Sequence, residues 1–392
     1  MSRAILFTCM GLLLLSTGLR AQSLRDVVAI ALQNNPEVKA AQQAAEAARA
    51  RIPVMGSLPD PEIAIESMEL RSFSPSISQT FPLFGKLSAK EKSAYHMHQE
   101  QLFRYRQIKR DVSAAVAEHY FSLWFRDEQI QLLREKKAIL GRIATVAESQ
   151  YAAASDTSQL DVLQIQLEVL SATNALTSAE TMRAADLAKL NALLGRELTI
   201  SLHPKMEKIA TASPEAAPTT PEMLAAEQQV LRATQELEMV RNDALPDLTV
   251  QYSLPMASTA TSPFLSLKLS LPFLWSWQRT SSIDALQLDR DMAQAMRDQT
   301  RIRVQEDRFV ASVLAQDNQR ALQFFSATLI PHAEQALRIA QARYQSGQLP
   351  FLDLMNTVRT LNNLKLEYVT LYKEYAIATA RQTRVAGGED HE

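Results

Sequence analysis

The sequence of 392 residues carries 41 Lys and Arg against 43 Asp and Glu, with both signs interspersed along the chain, so no basic face for nucleic acid stands out. Its single cysteine, Cys9, sits inside an apolar amino-terminal run. If that run is removed the mature chain has no thiol, which excludes disulfides and cysteine catalysis and leaves packing and assembly to hold the fold.

At the amino terminus Arg3 precedes an apolar run from Ala4 to Leu15, and the small residue Ala21 ends the polar segment that follows. This pattern predicts a secretory signal over 1–21, cut after Ala21. The run is shorter than the ~20 residues that span a bilayer, and no later stretch reaches that length, so any membrane contact must use strands.

A first structural unit is expected over 22–202. After an opening helix the period changes to two, predicting strands Glu62–Leu70 and Ile77–Leu83 joined by a loop over Arg71–Ser76. Gly85 to Gln150 then has no proline and one internal glycine, Gly141, and favours Ala, Leu, Glu, Lys, Arg and Gln. About 65 helical residues at 1.5 Å each would make a rod near 100 Å long. Apolar positions recur in it at coiled-coil spacing, as at Val112, Ala115, Val116, His119, Tyr120 and Leu123, and later at Ile130, Leu133, Ala138 and Leu140. A partner helix over Ser158–Gly195 completes a long antiparallel hairpin.

The Pro-, Ala- and Thr-rich stretch 203–221 reads as a linker outside the bundle. A second unit over 222–392 repeats the order. Its strands, Leu248–Leu254 and Leu265–Leu271, each show one wholly apolar face (Leu248, Val250, Tyr252; Leu265, Leu267, Leu269) and one polar face. In a soluble sheet the apolar face would meet a core; in an outer-membrane barrel it would meet lipid. Export favours the second reading, as do Phe264, Phe273, Trp275 and Trp277, aromatics near strand ends where a membrane interface wants them. Four strands cannot close a barrel, and an open edge in lipid leaves backbone groups unsatisfied, so several chains must share one barrel. A helix over Gln278–Tyr344, broken only by Pro331, pairs with one over Phe351–Val385, and the acidic tail at Glu389-Asp390 is solvated.

The two units are an internal duplication. Tyr151–Gln164 (YAAASDTSQLDVLQ) matches Tyr344–Asn356 (YQSGQLPFLDLMN), Pro36-Glu37 matches Pro221-Glu222, Leu58-Pro59-Asp60 matches Leu245-Pro246-Asp247, and Phe81-Pro82-Leu83-Phe84 matches Leu271-Pro272-Phe273-Leu274.

This order resembles the outer-membrane efflux protein family, the TolC-like channels of Gram-negative bacteria, over essentially the whole mature chain. The most specific marks are Ile77–Lys86 (ISQTFPLFGK), Arg343–Asn356 (RYQSGQLPFLDLMN) and the two Leu-Pro-Asp strand entries. The first of these and LPDPEI resemble the heavy-metal branch more than the multidrug branch. The resemblance implies an α+β membrane protein. It would form a homotrimer whose helices build a coiled-coil barrel in the periplasm and whose strands share a twelve-stranded barrel amid outer-membrane lipid. It further implies a passive channel of a tripartite efflux pump, working with a periplasmic adaptor and an inner-membrane pump of the RND type, without cofactor or catalytic residues. Substrates would be heavy-metal cations or small toxic compounds.

By the same resemblance the closed periplasmic end is formed by the turns of the helical hairpins. The matching positions are Tyr344, Gly347, Asp353 and Asn356, with Tyr151 and Asp161 at the duplicated turn. Gly347 suits a left-handed helix terminus. Three copies of Asp353 would form a cation-attracting ring, although a lone Asp near a helix start is also a common cap. The chain departs from the family in having Ala154 where glycine is frequent, Asn356 where some relatives carry a second acid, and no basic residue at Leu349 or Pro350.

Sites for other chemistry are lacking. His96 and His98 are two apart on a helix and point away from each other, so no metal site is expected there. No phosphate loop, HExxH helix or GxSxG elbow occurs. The alternatives are the exit channel of a type I protein secretion system, with the same fold, and a soluble periplasmic coiled-coil scaffold.

Overall fold

The computed structural model describes residues 23–69, 72–152, 159–197, 200–206, 219–254, 262–270, 272 and 276–385. The expected signal over 1–21 with Cys9, the turn residue Ala154, Phe273, Trp275 and the tail at Glu389-Asp390 lie outside these residues, as does most of the linker. In chain order the elements are α1 (Leu24–Asn34), α2 (Pro36–Met55), β1 (Glu62–Glu69), β2 (Ser72–Pro82), α3 (Lys86–Ala152), α4 (Gln159–Leu193), α5 (Pro221–Asn242), β3 (Asp247–Ser253), β4 (Phe264–Leu269), α6 (Ser276–Phe324), a π-turn (Phe325–Leu329), α7 (Ile330–Gln345) and α8 (Phe351–Val385). No helix among the described residues is long and apolar enough to cross a membrane.

Two compact units form, and they cut across the units expected from the sequence. Among the described residues, one takes those within Met1–Pro36, Arg110–Ala216 and Asp307–Glu392; the other takes those within Glu37–Lys109 and Ala217–Glu306. Each therefore takes segments from both of the units expected over 22–202 and 222–392.

In the first unit α3 and α4 run as the expected hairpin, and α7 and α8 form a second. One core joins them: Leu140, Ile143 and Ala147 of α3, Ile165 and Ala172 of α4, Leu337, Ala340 and Tyr344 of α7, and Phe351, Leu354, Met355, Val358 and Leu361 of α8. Seven-residue spacing produces this stripe because 3.5 residues per turn keeps one face toward a neighbouring helix. Farther along, Trp124 lies 4.8 Å from Tyr372 between ring centroids, beside Val369. Pro331 does not end the helix. It cannot donate a backbone N–H, and the chain widens into the π-turn just before it, while His332 Nδ1 donates to Thr328 O at 2.7 Å.

The end of α4 is tied closely to α1. Gly195 adopts φ +61°, and a Cβ there would meet Asn34 O at 2.9 Å, so only glycine fits without a shift. Asn35 Nδ2 donates to Leu193 O at 3.0 Å, and buried Asn191 donates to Ile200 O at 2.8 Å. The beginning of the expected linker is packed and not free. Leu202, just before it, is buried, and within it the Lys205 backbone N–H donates to the Tyr120 hydroxyl at 2.9 Å.

In the second unit α2, α3 up to Lys109, α5 and α6 up to Glu306 accompany a four-stranded antiparallel sheet of order β1-β2-β3-β4. The central pair, β2 and β3, joins segments far apart in the sequence. β2 begins at Ser72, so the expected loop over Arg71–Ser76 is mostly strand: Pro75 stands opposite Ile65, and Ser76 opposite Ala64 and Ser253. Serines and a proline made this stretch resemble a turn, yet the Pro75 carbonyl still accepts from Leu254 N at 2.9 Å. β3 and β4 start one residue earlier than expected, and Trp277 lies in the first turn of α6 instead of at a strand end.

Glu100 of α3 is buried (2% exposed) between two arginines. Arg104 approaches its Oε1 at 2.6 Å and Arg232 of α5 its Oε2 at 3.2 Å, and Arg232 also faces Glu236 at 3.6 Å. His96 contacts Gln228 of α5, whereas His98 contacts the Ala45 carbonyl of α2, so the two imidazoles face different helices. Among the described residues no group of three His, Cys, Asp or Glu is placed to hold a metal ion.

Candidate functional site: hairpin tip and strand face

The tip of the α7–α8 hairpin is built by a helix stop. Gly347 takes φ +71°, Gln348 N donates to Arg343 O at 2.8 Å and Gly347 N to Tyr344 O at 3.1 Å, which caps the last carbonyls of α7. Phe351 then starts α8 with its ring 6.2 Å from that of Tyr344. Tyr344 is buried in the core, so it braces the turn from inside. Asp353 and Asn356 lie exposed on the other side of α8. Asp353 stands in the first turn, where a carboxylate complements the positive helix end. At the duplicated turn Tyr151 is half exposed in the last turn of α3 and Asp161 is half-buried in the first turn of α4.

The sequence did not single out an ion cluster that links this hairpin to the other. Glu168 of α4 pairs with Arg359 of α8 and with Lys136 of α3, the latter at 3.6 Å. The Arg359 hydrogen bond holds the Glu168 carboxyl below its ordinary value, against a smaller opposing effect of burial. A lowered carboxylate value means the pair contributes fully above the unfolded value near 4.5 and is lost only as pH falls through the folded one. Glu168→Gln is therefore expected to lower stability at neutral pH and to lose that deficit in acid. Thermal unfolding of both proteins across pH checks this, and a deficit that persists at low pH would assign the effect to packing.

The sheet is turned inside out. Directly opposed residues share a face, and register puts Ile63, Ile65, Ile77, Phe81, Leu248, Val250, Tyr252, Leu265, Leu267 and Leu269 on one side. Leu265, Leu267, Leu269 and Tyr252 are exposed and Leu248 and Val250 half-buried; Ile63 reaches 79% and Leu267 66%. On the other side Gln251 and Ser253 are 6% and 1% exposed, Ser76 is buried, and the hydroxyls of Thr80 and Thr249 lie 2.9 Å apart. Phe264 falls on this polar side, opposite Ser253, and so does not extend the apolar face.

Two sequence landmarks meet at the base of this sheet. Lys86, from the Ile77–Lys86 segment, is buried and donates to Asp247 Oδ1 at 2.7 Å and to Leu245 O at 2.8 Å, both in the second Leu-Pro-Asp entry. Phe84 and Gly85 at φ 56° and 77° turn the chain out of β2 so that Lys86 can start α3 beside β3.

Long paired helical hairpins joined to a sheet with an apolar outside define a channel-forming class of outer-membrane protein. The chain belongs to the outer membrane efflux protein family, whose model matches residues 27–196 and 213–388. These are passive outer-membrane channels with a periplasmic portion, not enzymes, and they serve tripartite pumps. The chain is 24% identical over 375 residues to the cobalt-zinc-cadmium resistance protein CzcC of Cupriavidus metallidurans, covering 91% of this chain and 88% of that protein. Its fold is similar to that of CusC, with TM-score 0.83 at 16% identity over 93% of this chain and 92% of the other. It is also similar to VceC from Vibrio cholerae, with TM-score 0.81 at 16% identity over 93% and 96%.

Proposed function

We propose that the protein is the trimeric outer-membrane duct of a pump that exports heavy-metal cations, fed by an RND-type inner-membrane pump through a periplasmic adaptor. The observation that carries this reading is the inverted sheet, whose exposed apolar face suits lipid and whose two open edges call for further copies. Similarity to a cobalt-zinc-cadmium resistance protein along nearly the whole chain supports the metal class. In a host lacking its own metal-efflux channel, co-expression with the neighbouring pump and adaptor genes should restore growth in cobalt, zinc or cadmium and lower cell metal content. Restored drug tolerance or protein secretion without any change in metal content would overturn the substrate class.

Asp353 is proposed as the cation-attracting group at the closed end, with Asp161 secondary. Exposure of Asp353 beside a braced turn supports that role. In planar bilayers Asp353→Ala should weaken block by multivalent cations and shift selectivity, more so than Asp161→Ala, and the difference should shrink as salt shortens the screening length to ~3 Å at 1 M. Unchanged conductance, selectivity and block in a trimeric Asp353→Ala channel would place the constriction elsewhere.

A further inference from the structure

The face of α3 that carries Lys86 leads to a recess in the second unit. Lys86 reaches Asp247 Oδ1, and Asp247, next to outward Leu248 in β3, belongs to the polar side of the sheet. On a helix, positions 4, 7, 8 and 11 further on share a face, and here they are Lys90, Ser93, Ala94 and Met97. All four line one cavity of about 490 Å³. The cavity therefore opens on the side of the sheet's polar face and away from its exposed leucines.

The remaining walls come from α2, α5 and α6, so four helices of one unit contribute. Met55, Met239, Val240 and Leu286 join Met97 in an apolar floor. Three of these five are methionines, unbranched and polarisable side chains that adapt to irregular shapes. Met97, Met239 and Leu286 are half-buried and Met55 is 45% exposed, so the protein itself covers this floor only in part. The rim is charged, and unevenly. Glu236 is engaged by Arg232 at 3.6 Å and by the Ser93 hydroxyl at 3.5 Å. Arg51 and Lys90 are exposed, and among the described residues neither makes an ion pair.

We infer that this recess binds an amphipathic organic anion, with its apolar body on the methionine floor and its acid group at Arg51 and Lys90. The inference rests on the reading of the protein as a duct. On that reading the polar side of the sheet is the water-filled side, and each chain holds one such recess in the wall of the passage. The volume is that of a small-molecule site and suits a fused-ring acid. A bare inorganic anion would leave the floor uncovered, and a metal cation would meet two unpaired positive side chains. The occupant is thus a ligand distinct from the proposed cargo, and it narrows the passage while bound.

Isothermal titration of the protein in dodecyl maltoside with naphthalene-1-sulfonate tests this, together with planar-bilayer conductance in the same probe. One saturable site per chain is expected, with conductance falling as it fills. Arg51→Gln and Lys90→Gln change exposed positions, and each should weaken binding about two- to fivefold, or about tenfold together. Ala94→Trp fills the recess and should abolish saturable binding. Sulfate, which carries charge without rings, should bind about tenfold more weakly than the naphthalene acid. The recess is overturned if wild type shows no saturable binding, if binding survives both the double glutamine variant and Ala94→Trp unchanged, or if sulfate binds as tightly. Each of these results leaves the duct standing. A wild-type protein that binds the probe as expected but forms no conducting channel keeps the site and overturns the duct.

Discussion

Leu267→Arg is expected to cost about 2–4 kcal/mol of barrel stability, whereas Ser266→Thr next to it is tolerated. Leu267 is exposed in the middle of β4 among Leu265, Leu269, Val250 and Tyr252, so an arginine there must either enter lipid or drag the strand out of place. Ser266 opposes Gln251 on the buried polar side, where a hydroxyl keeps its surroundings. The measurement is the fraction of heat-resistant trimer recovered from outer membranes and its urea midpoint. Equal damage from both substitutions would reverse the assignment of the two faces, and no damage from Leu267→Arg would put that face in water.

The second large effect is expected at Glu100. Glu100→Ala removes the buried carboxylate that pairs with Arg104 and Arg232 and leaves the space it filled empty, while both arginines keep access to water, a loss of about 1–3 kcal/mol. Glu100→Gln keeps shape and one acceptor and should cost clearly less. Thermal unfolding of the solubilised protein separates the two cases. An alanine variant that melts with wild type would mean that water replaces the carboxylate at no cost. Glu100→Leu with Arg232→Met, which replaces the pair by packing, should recover much of the loss.

The long helices could be read directly because their signal is local. Between Gly85 and Gln150 nothing interrupts the backbone, and α3 spans Lys86–Ala152; likewise Phe351–Val385 is α8 to the residue. Strands with strict alternation, Leu248 onward and Leu265 onward, were legible for the same reason. β2 was only half legible, because Ser72–Ser76 has turn composition and is held as strand by β1 along its length and, at Pro75 and Ser76, also by β3, which is far away in sequence. The ion groups were invisible for a related reason. Every long helix here carries charges on most turns, and nothing local distinguishes Glu168, whose partner Arg359 lies 191 residues away, from a solvated glutamate. Glu100 was hidden in the same way, since Arg232, which it faces, lies on another helix far along the chain. At the tip the glycine signal at Gly347 gave the turn, but Tyr344 lies inside the hairpin core, which its spacing from Leu337 and Ala340 already implied.

The π-turn before Pro331 has a consequence for the far end of its helix. Stepping by sevens from buried Ala311 through position 318 to buried Phe325 leads on to Ile339, which is 50% exposed. The residues that are buried, Ala340, Leu337 and Tyr344, stand one place later than the repeat begun at Ala311 and Ala315 would put them. The wider turn inserts one residue and advances the side-chain phase by about 100°. Without that advance Tyr344 would leave the core and Ile339 would enter it, and Phe351 would lose the ring that braces the turn. The orientation of the hairpin tip is thus set some four turns upstream, by a slip in helical pitch that a proline makes permanent.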